Sequence, residues 1–292
     1  MIADELPQLA EIPHPPIELY IVGKLPSELP DGRAYIYLSV VGSRKYTEYG
    51  QQACHELIMG LRGYPVAVVS GLAYGIDQIA HRAAIMAKLP TIAIPGSGLS
   101  LSALYPRGHT QLAEEILYKG GCLLSEFPPE TKAAPWTFPQ RNRLMAGIAR
   151  AVLIIEAEQK SGTLITARLA TEYNRDVLVV PGSIYSASSV GANFLLRQGA
   201  TPITCADDLL QALGLLEENK KLPFPKDLSP EEMEIVSLLA TAPLARDEIL
   251  QQLTQHSANQ SPRKSHEISA TLSILEIKGL IEEKMGLLQL KK

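Results

Sequence analysis

The sequence predicts an α/β protein with a doubly wound, mostly parallel sheet, followed by a small winged-helix domain. Across residues 33–215, short apolar segments rich in Val, Ile and Leu alternate with helix-length segments. This alternation is typical of a parallel sheet that helices cover on both faces. Residues 229–292 instead have the pattern of three helices and a terminal hairpin, which indicates a winged helix.

The strands predicted in the larger domain have the branched apolar composition of strands that are buried on both faces. They lie at residues 34–42, 66–70, 91–95, 121–125, 151–155, 177–181 and 201–204. Helices are predicted between them at residues 47–61, 76–87, 109–119, 190–198 and 207–213, with two more that begin near Arg141 and at Ser161. The hydroxyl of Thr47 suits the N-cap of the first helix, and Gly63 suits its end.

Proline marks the segments on either side of the larger domain. Residues 1–32 contain six prolines and are predicted to form an extended lead-in, which adds at most an edge strand near residues 19–22. A linker is predicted at residues 216–228. Beyond it, the winged-helix domain is predicted to contain helices at residues 231–239, 246–253 and 266–278 and a hairpin that turns near Met285 and Gly286.

Composition restricts the class of protein. Hydrophobic residues make up 46% of the 292 residues and charged residues 20%, as in globular proteins. No apolar run approaches the ~20 residues of a membrane helix, and the acidic N-terminus lacks the basic-then-apolar order of a signal peptide. Cys54, Cys122 and Cys205 lie far apart without a CxxC pair, so we predict buried thiols and no metal site. Together these features predict a cytoplasmic protein without membrane contact.

The distribution of charge permits an anionic ligand even though the chain has a net charge of −4. Residues 131–200 contain eight basic and four acidic residues, so this segment has a charge of +4 and the remainder −8. A basic face on an acidic protein is what local recognition of phosphate requires. The net charge alone therefore does not exclude nucleic acid as a partner.

Small-residue turns follow five of the predicted strands. They are Gly42-Ser43-Arg44, residues 71–75, residues 96–98, Ser161-Gly162-Thr163 and residues 181–183. In a parallel sheet the carboxyl ends of the strands meet at one edge, where ligands bind. A turn at a helix N-terminus also presents backbone N–H groups and the positive end of the helix dipole to an anion. The sequence therefore predicts a long, shallow groove along this edge.

A short basic cluster, Arg141-Asn142-Arg143, is predicted at the start of one of the helices. Two guanidinium groups beside small-residue turns favour a polyanion over a single small carboxylate. Salt bridges on a solvated helix would also account for the arginines, and helix capping alone would account for Ser161-Gly162-Thr163. Arg168, on the helix that this turn opens, is a further candidate for contact with the ligand.

Four other side chains allow two interpretations each. Trp136 and Phe138 precede the basic cluster. An aromatic side chain beside arginines builds a base-stacking site, and packing on the core explains such a side chain equally well. Asp77 and His81 lie four residues apart on one helix face, as an acid/base pair would. For this pair we favour structural hydrogen bonds.

Several motifs resemble, in content and in order, those of the DNA-processing protein A (DprA, or Smf) family. The likeness extends over residues 19–213 and includes VGSR, SGLAYGID, TIAIPGSG, FPQRNRLMAG, SGTLITARLA and GANFLLRQGA. The resemblance implies an extended Rossmann-like core, a single-stranded DNA ligand and a homodimer. It also implies that the protein hands incoming DNA to the RecA recombinase during natural transformation. Tyr74 departs from the family pattern, which usually has a basic residue there.

We therefore predict a non-enzymatic, single-stranded DNA-binding protein that protects incoming DNA and loads RecA, without a cofactor. The predicted DNA-binding residues are Gly42, Ser43, Arg44, Phe138, Arg141, Asn142, Arg143, Ser161, Gly162, Thr163 and Arg168.

The alternative is a nucleotide-processing enzyme, because the core also resembles the lysine-decarboxylase-like (LOG) phosphoribohydrolases. Those enzymes have a glutamate just after the glycine-threonine turn, where this chain has Leu164, Ile165 and Thr166. The carboxylate that this alternative requires is therefore missing from its expected position. A nicotinamide-dependent oxidoreductase is disfavoured, because the chain lacks the GxGxxG turn that would hold the dinucleotide.

The winged-helix domain is predicted to contact protein rather than duplex DNA. Residues 228–292 contain seven basic and nine acidic residues. The presumed recognition helix has no arginine and only a terminal lysine, whereas a helix that reads the major groove presents Arg, Lys, Asn or Gln to base edges. We therefore expect a protein-interaction or dimerisation role.

Overall fold

The computed structural model describes residues 6–29, 32–216, 228–239, 243–255, 265–284 and 286–290. The chain forms two compact units, Met1–Glu217 and Glu218–Lys292. Residues 217–227 of the predicted linker lie outside the described residues. The same is true of residues 1–5 of the predicted lead-in and of Met285 in the predicted hairpin turn.

The described residues of the first unit contain an eight-stranded sheet. Its strands are β1 (Tyr20–Gly23), β2 (Ile36–Val41), β3 (Val66–Ser70), β4 (Thr91–Ala93), β5 (Cys122–Ser125), β6 (Ala151–Ile154), β7 (Asp176–Val179) and β8 (Thr201–Pro202). Their spatial order is β1-β5-β4-β3-β2-β6-β7-β8. Neighbouring strands are parallel except β1, which lies antiparallel to β5 at one edge. The predicted doubly wound, mostly parallel sheet is confirmed.

The helices of this unit are α1 (Glu48–Met59), α2 (Ile76–Met86), α3 (Thr110–Tyr118), α4 (Thr137–Ile148), α5 (Gly162–Glu172), α6 (Val190–Arg197) and α7 (Ala206–Ala212). Thr47 is the N-cap of α1, and its side chain accepts a hydrogen bond from the N–H of Gly50 at 3.2 Å. Cys54 and Cys122 are buried, as predicted. The prediction was wrong for Cys205, which is exposed because it lies at the N-cap of α7, outside the core.

Alternating side chains along the strands divide the interior of the first unit into two layers. Val66 and Val68 of β3 share a core with α1, α2 and α7, whereas Ala67 and Val69 share a core with α4, α5 and α6. This is the period-two alternation of a strand. Because helices cover both faces, every residue of β3 is buried, and the strand is almost entirely apolar.

The segment before the first strand, residues 6–14, packs into the core. Leu6, Leu9 and Ile12 are each at most 3% exposed and share a core with α4. Gly147 of α4 permits this close approach, because a Cβ there would lie 3.0 Å from side-chain atoms of Leu9 and Ile12. The prediction of an extended lead-in missed this packing, since three apolar residues at intervals of three, interrupted by a proline, are too few to establish a helical period.

The second unit contains α8 (Pro230–Leu239), α9 (Arg246–Gln255), α10 (Ser265–Ile277) and an antiparallel pair of strands, β9 (Ile281–Lys284) and β10 (Leu287–Leu290). Ile235, Ile249, Leu272 and Leu288 lie in its core. The elements follow the predicted order, and the assignment of this unit as a winged helix stays a prediction. No helix among the described residues of either unit combines the length and the apolar character needed to cross a bilayer.

We expect Leu9→Ala to lower the free energy of unfolding of the first unit by about 2–5 kcal/mol, because it leaves a cavity at a fully buried site. Ile17→Ala is the matched control, since Ile17 is 99% exposed and its truncation should change stability by less than about 0.5 kcal/mol. Urea unfolding followed by the fluorescence of Trp136, the single tryptophan, measures both variants. Equal effects of the two substitutions would contradict the packing of residues 6–12.

Candidate nucleic-acid interface

A cavity of about 520 Å³ opens at the edge of the sheet where the parallel strands β2, β3 and β6 end. Nine of the eleven predicted residues line it: Gly42, Ser43, Arg44, Phe138, Arg141, Asn142, Ser161, Gly162 and Thr163. Lys45 also lines the cavity. Lys45 was not among the predicted residues, although Lys45 directly follows the predicted turn Gly42-Ser43-Arg44. We call this space the cationic cavity.

The basic cluster lies in the second turn of α4, and its predicted place at the start of a helix was wrong. The helix begins at Thr137, whose hydroxyl donates to the carbonyl oxygen of Gly96 at 2.6 Å. Arg141 follows one turn later and therefore lies on the same, inward-facing side of the helix as Thr137. The positive end of the dipole of α4 therefore lies at Thr137, one turn before the arginines.

Arg141 is only 4% exposed and joins three parts of the chain. Its Nη1 donates to the carbonyl oxygen of Gly71 at 2.6 Å and also to that of Ile94, while its Nε donates to Oδ1 of Asn142 at 3.2 Å. Asp77 completes the cluster, because its Oδ2 accepts from the N–H groups of Gly71 at 3.1 Å and Ala73 at 3.3 Å. The turn after β3, the end of β4 and α4 are therefore held together by one guanidinium group.

The charges around the cationic cavity leave it positive. Burial lowers the pKa of the Arg141 guanidinium to about 10, and the Asp77 carboxylate opposes the shift. Arg141 is therefore charged at neutral pH. Burial also raises the pKa of Asp77, against the opposing effect of Arg141 and of the Ala73 and Gly71 amides. Arg44 and Lys45 add two further cations among the lining residues, and Glu158 adds the second carboxylate.

Aromatic side chains flank this cavity on the side of Arg44. The Arg44 guanidinium lies 5.3 Å from the centre of the Phe138 ring. The centres of the Tyr105 and Phe138 rings are 5.8 Å apart, in an edge-on arrangement. Trp136 is 59% exposed and packs edge-on against Phe127. Of these aromatic residues, Phe138 lines the cationic cavity and Trp136 does not. Tyr74, at the position that departs from the family pattern, is half exposed.

The turn before α5 combines the two interpretations that its sequence allowed. The side chain of Ser161 caps the helix by accepting from the N–H of Thr163 at 3.1 Å. The same residues, with Gly162, line the cationic cavity. The positive end of the dipole of α5 is therefore directed at the cavity, where it favours an anion.

Two predicted residues, Arg143 and Arg168, lie outside the cationic cavity. Nη2 of Arg143 pairs with Oε2 of Glu126, and its Nη1 donates to the carbonyl oxygen of His14 at 2.7 Å. Arg168 is exposed on α5, where its Nε lies 2.7 Å from Oε1 of Glu172. Arg143 therefore ties α4 to the N-terminal segment, and Arg168 forms an ordinary surface pair.

Asp77 and His81 do not form an acid/base pair. The Asp77 carboxylate is occupied by backbone N–H groups, and His81 is fully buried in α2 with its Nδ1 2.7 Å from Oγ1 of Thr91. Burial, assisted by the nearby His109 and Arg141, lowers the pKa of His81 to about 3. The imidazole is therefore neutral at neutral pH and serves the packing of the core.

The similarity of the chain to known proteins includes every residue that lines the cationic cavity. Residues 3–214 match the sequence model of the family described as DNA recombination-mediator protein A. The chain is 34% identical over 265 residues to Protein Smf of Escherichia coli K12, a match that covers 85% of this chain and 69% of that protein.

Two solved structures resemble the fold of the chain. DNA processing protein A of Streptococcus pneumoniae superposes with a TM-score of 0.62 at 36% identity, covering 70% of this chain and 69% of that one. DNA processing protein A of Helicobacter pylori superposes with a TM-score of 0.61 at 29% identity, covering 70% of this chain and 91% of that one. The Helicobacter structure concerns the single-stranded DNA binding mode of that protein.

We expect Arg143→Ala to lower the free energy of unfolding of the first unit by about 3 kcal/mol, because it leaves Glu126 buried without its cation. The side chains of that pair are 16% and 7% exposed, whereas those of Arg168 and Glu172 are 81% and 45% exposed. Arg168→Ala should therefore cost no more than about 0.5 kcal/mol. Urea unfolding distinguishes the two, and equal losses would contradict a structural role for Arg143.

We expect the first unit to lose stability as the pH falls from about 6.5 towards 3, in part because of His81. Its folded pKa is lowered to about 3, so over this range the unfolded chain binds a proton that the folded chain does not. His81→Gln should reduce the slope of stability against pH by up to about 1.4 kcal/mol per pH unit. Stability is measured from the urea midpoints of the wild type and of His81→Gln between pH 7 and 4. If the two proteins lose stability in parallel as the pH falls, the assignment of this effect to His81 is wrong.

Proposed function

Because the chain belongs to the DNA recombination-mediator protein A family, which includes the DprA and Smf proteins, we propose that it binds single-stranded DNA in the cationic cavity. Binding is indifferent to sequence, and the protein has no catalytic role. The observation that supports this most is the convergence of Arg44, Lys45 and Arg141 on one cavity at the carboxyl edge of the sheet. Unpaired DNA offers such a cavity both phosphates and accessible bases.

The three cations of the cavity have two different roles, one in holding its shape and one in contacting the DNA. Arg141 donates to two backbone carbonyl groups and is buried, so it holds the turns in place and contributes a fixed positive field. Arg44 and Lys45 are exposed at the wall of the cavity and are free to approach phosphate oxygens. The N-terminus of α5, with Ser161, Gly162 and Thr163, lines the same cavity and adds the stabilising effect of its helix dipole.

Bases are accommodated beside the phosphates by aromatic and polar side chains. The Phe138 ring is partly exposed and lies next to Arg44, an arrangement that suits stacking of an unpaired base. Asn142 lines the same cavity, and its Nδ2 can donate to a base while its Oδ1 accepts from Arg141. Arg143 and Arg168 are not part of the proposed contact surface, since neither lines the cavity.

The family membership extends the proposal to the biological role. We propose that the protein coats incoming single strands in the cytoplasm during natural transformation, protects them, and hands them to RecA. A homodimer would join two cationic cavities into a longer path for the strand. The single-stranded DNA binding mode of the Helicobacter relative is consistent with this role.

The second unit is proposed to contact protein. Its residues 228–292 are net acidic, with seven basic and nine acidic side chains. On α10, Ile274 is 46% exposed and Ile277 is 85% exposed. Exposed isoleucine on an acidic unit suits a protein surface better than a DNA groove.

The competing function, hydrolysis of a nucleotide, has one feature in its favour. Glu158 is a carboxylate that lines the cationic cavity. It precedes the turn at Ser161, whereas the LOG-type glutamate would follow it. We therefore place DNA binding first and test hydrolysis as the alternative.

We expect Arg44→Ala to weaken binding of a fluorescein-labelled oligothymidine by at least about tenfold, because it removes a charged hydrogen bond to phosphate. The dependence of log K on log salt should also become shallower by about 0.7, the value for one phosphate on a single strand. Arg62→Ala is the control of equal charge. Arg62 follows the C-terminal end of α1 and therefore lies at the opposite edge of the sheet. Fluorescence anisotropy across a salt series measures both quantities.

Failure of the wild-type protein to bind oligothymidine at low salt would reject the proposal. Equal losses for Arg44→Ala and Arg62→Ala would reject the cationic cavity as the binding site. In either case, release of free base from nucleoside monophosphates, measured for wild type and Glu158→Gln, would decide whether the cavity is instead the site of an enzyme.

A further inference from the structure

A second cavity, of about 390 Å³, lies farther along the same edge of the sheet. Its walls are the 181–189 loop after β7, which contributes four serines, and the first turn of α1, which contributes Tyr49. Glu156, just after β6, lies at its base and is 2% exposed. We call this space the serine cavity. Its volume is within the range of pockets that hold small ligands or parts of larger ones.

The serine cavity has the chemistry of a site for an uncharged polar group. Among the described residues that line it there is no Lys, Arg or His. The Glu156 carboxylate accepts from the N–H of Thr47 at 3.0 Å, from its hydroxyl at 2.6 Å and from the hydroxyl of Ser188 at 3.1 Å. A carboxylate in this place offers phosphate no hydrogen-bond donor and repels its negative charge. The hydroxyl of the exposed Ser183, in contrast, can donate to a neutral ligand, and the Ser186 hydroxyl, which pairs with that of Ser188, can accept from one.

The cavity is also built rigidly. The hydroxyl of Tyr49 donates to the carbonyl oxygen of Pro181 at 2.6 Å, which fixes a ring that is still 53% exposed. Asn193 holds the loop from the other side, because its Nδ2 donates to the carbonyl oxygen of Gly182 at 3.0 Å. Gly50 lets α1 approach, since a Cβ there would lie 2.4 Å from the Glu156 carboxyl group. An aromatic face and a set of hydroxyls are thus presented in a fixed geometry.

The serine cavity adjoins the cationic cavity along two stretches of chain. Lys45 lines the first cavity and Thr47 the second, while Glu158 lines the first and Glu156 the second. Residues two apart have Cα atoms at most about 7 Å apart, so the linings of the two spaces approach each other to within about the length of one nucleotide. A strand whose phosphate lies at Arg44 and Lys45 therefore brings a neighbouring base and sugar to the serine cavity.

We infer that the serine cavity is a second nucleotide subsite, which takes a nucleobase and its deoxyribose from the bound strand and excludes phosphate. This inference rests on the proposed function and specifies the path of the DNA along the sheet edge. The base lies on the Tyr49 ring, and the serine hydroxyls satisfy its polar edge without selecting among bases. The strand then alternates between a phosphate-binding and a base-binding space.

The test compares Tyr49→Ala, Tyr49→Phe and the control Tyr118→Ala in anisotropy titrations with oligothymidine and with an abasic deoxyribose-phosphate oligomer of equal length. Tyr118 is 84% exposed at the end of α3, away from both cavities. We expect Tyr49→Ala to weaken binding of oligothymidine about tenfold, which is within the effect of losing one stacked base. The salt dependence should not change, because stacking releases no counterions. Tyr49→Phe should lose less, since it keeps the ring.

The abasic oligomer separates base binding from other causes. It should bind wild type and Tyr49→Ala equally. Unchanged affinity of Tyr49→Ala for oligothymidine, while wild type binds it, would overturn the subsite and leave the cationic cavity as the proposed site. An equal loss on both oligomers would also overturn it, because the ring would then support the fold rather than a base. Absence of binding by the wild type would overturn both proposals.

Discussion

The burial of the Arg141 guanidinium is the interaction on which the site depends. Its two hydrogen bonds to backbone carbonyl groups join the end of β3 to the end of β4 through α4. Gly71 must be glycine for this to occur, because a Cβ there would lie 2.3 Å from Nη1 of Arg141. A buried cation needs nearby partners, and Asp77 supplies the charge that compensates it. The shape of the cationic cavity is therefore set before any ligand arrives.

The strands and helices could be predicted because they follow from short-range sequence patterns. The meeting of the turns at one edge could be predicted because it follows from the parallel sheet. The strand predicted at residues 66–70 is observed as Val66–Ser70, because a short, unbroken run of branched apolar residues is typical of a strand buried on both faces. Parallel pairing then brings Gly42, Arg141 and Ser161 to one edge, although they are up to 119 residues apart in the chain. Knowing the sheet type was enough to predict that these segments would meet.

The direction and partners of individual side chains could not be predicted, because they depend on contacts distant in sequence. Arg141 and Arg143 are two residues apart on one helix, and they therefore point to different sides. One binds the turns, and the other binds Glu126 and the N-terminal segment. No local pattern distinguishes them, since the Glu126 pair and the His14 carbonyl are fixed only by the tertiary fold. The burial of Leu6, Leu9 and Ile12 was missed for the same reason.

The net charge of −4 and the proposed polyanionic ligand are compatible because electrostatics act locally here. At physiological ionic strength, charges farther than about 8 Å from a ligand are largely screened. Acidic side chains beyond that distance therefore weigh little against Arg44, Lys45 and Arg141 at the cavity. Glu156 lies near the cavity as well, because it is two residues from Glu158, which lines the cavity, and it is buried. In the proposed path of the DNA, its effect is to confine phosphate to the cationic cavity and to leave the serine cavity for an uncharged group. Under that proposal, the alternation of charge along a single sheet edge sets the register of a bound DNA strand without any reading of its sequence.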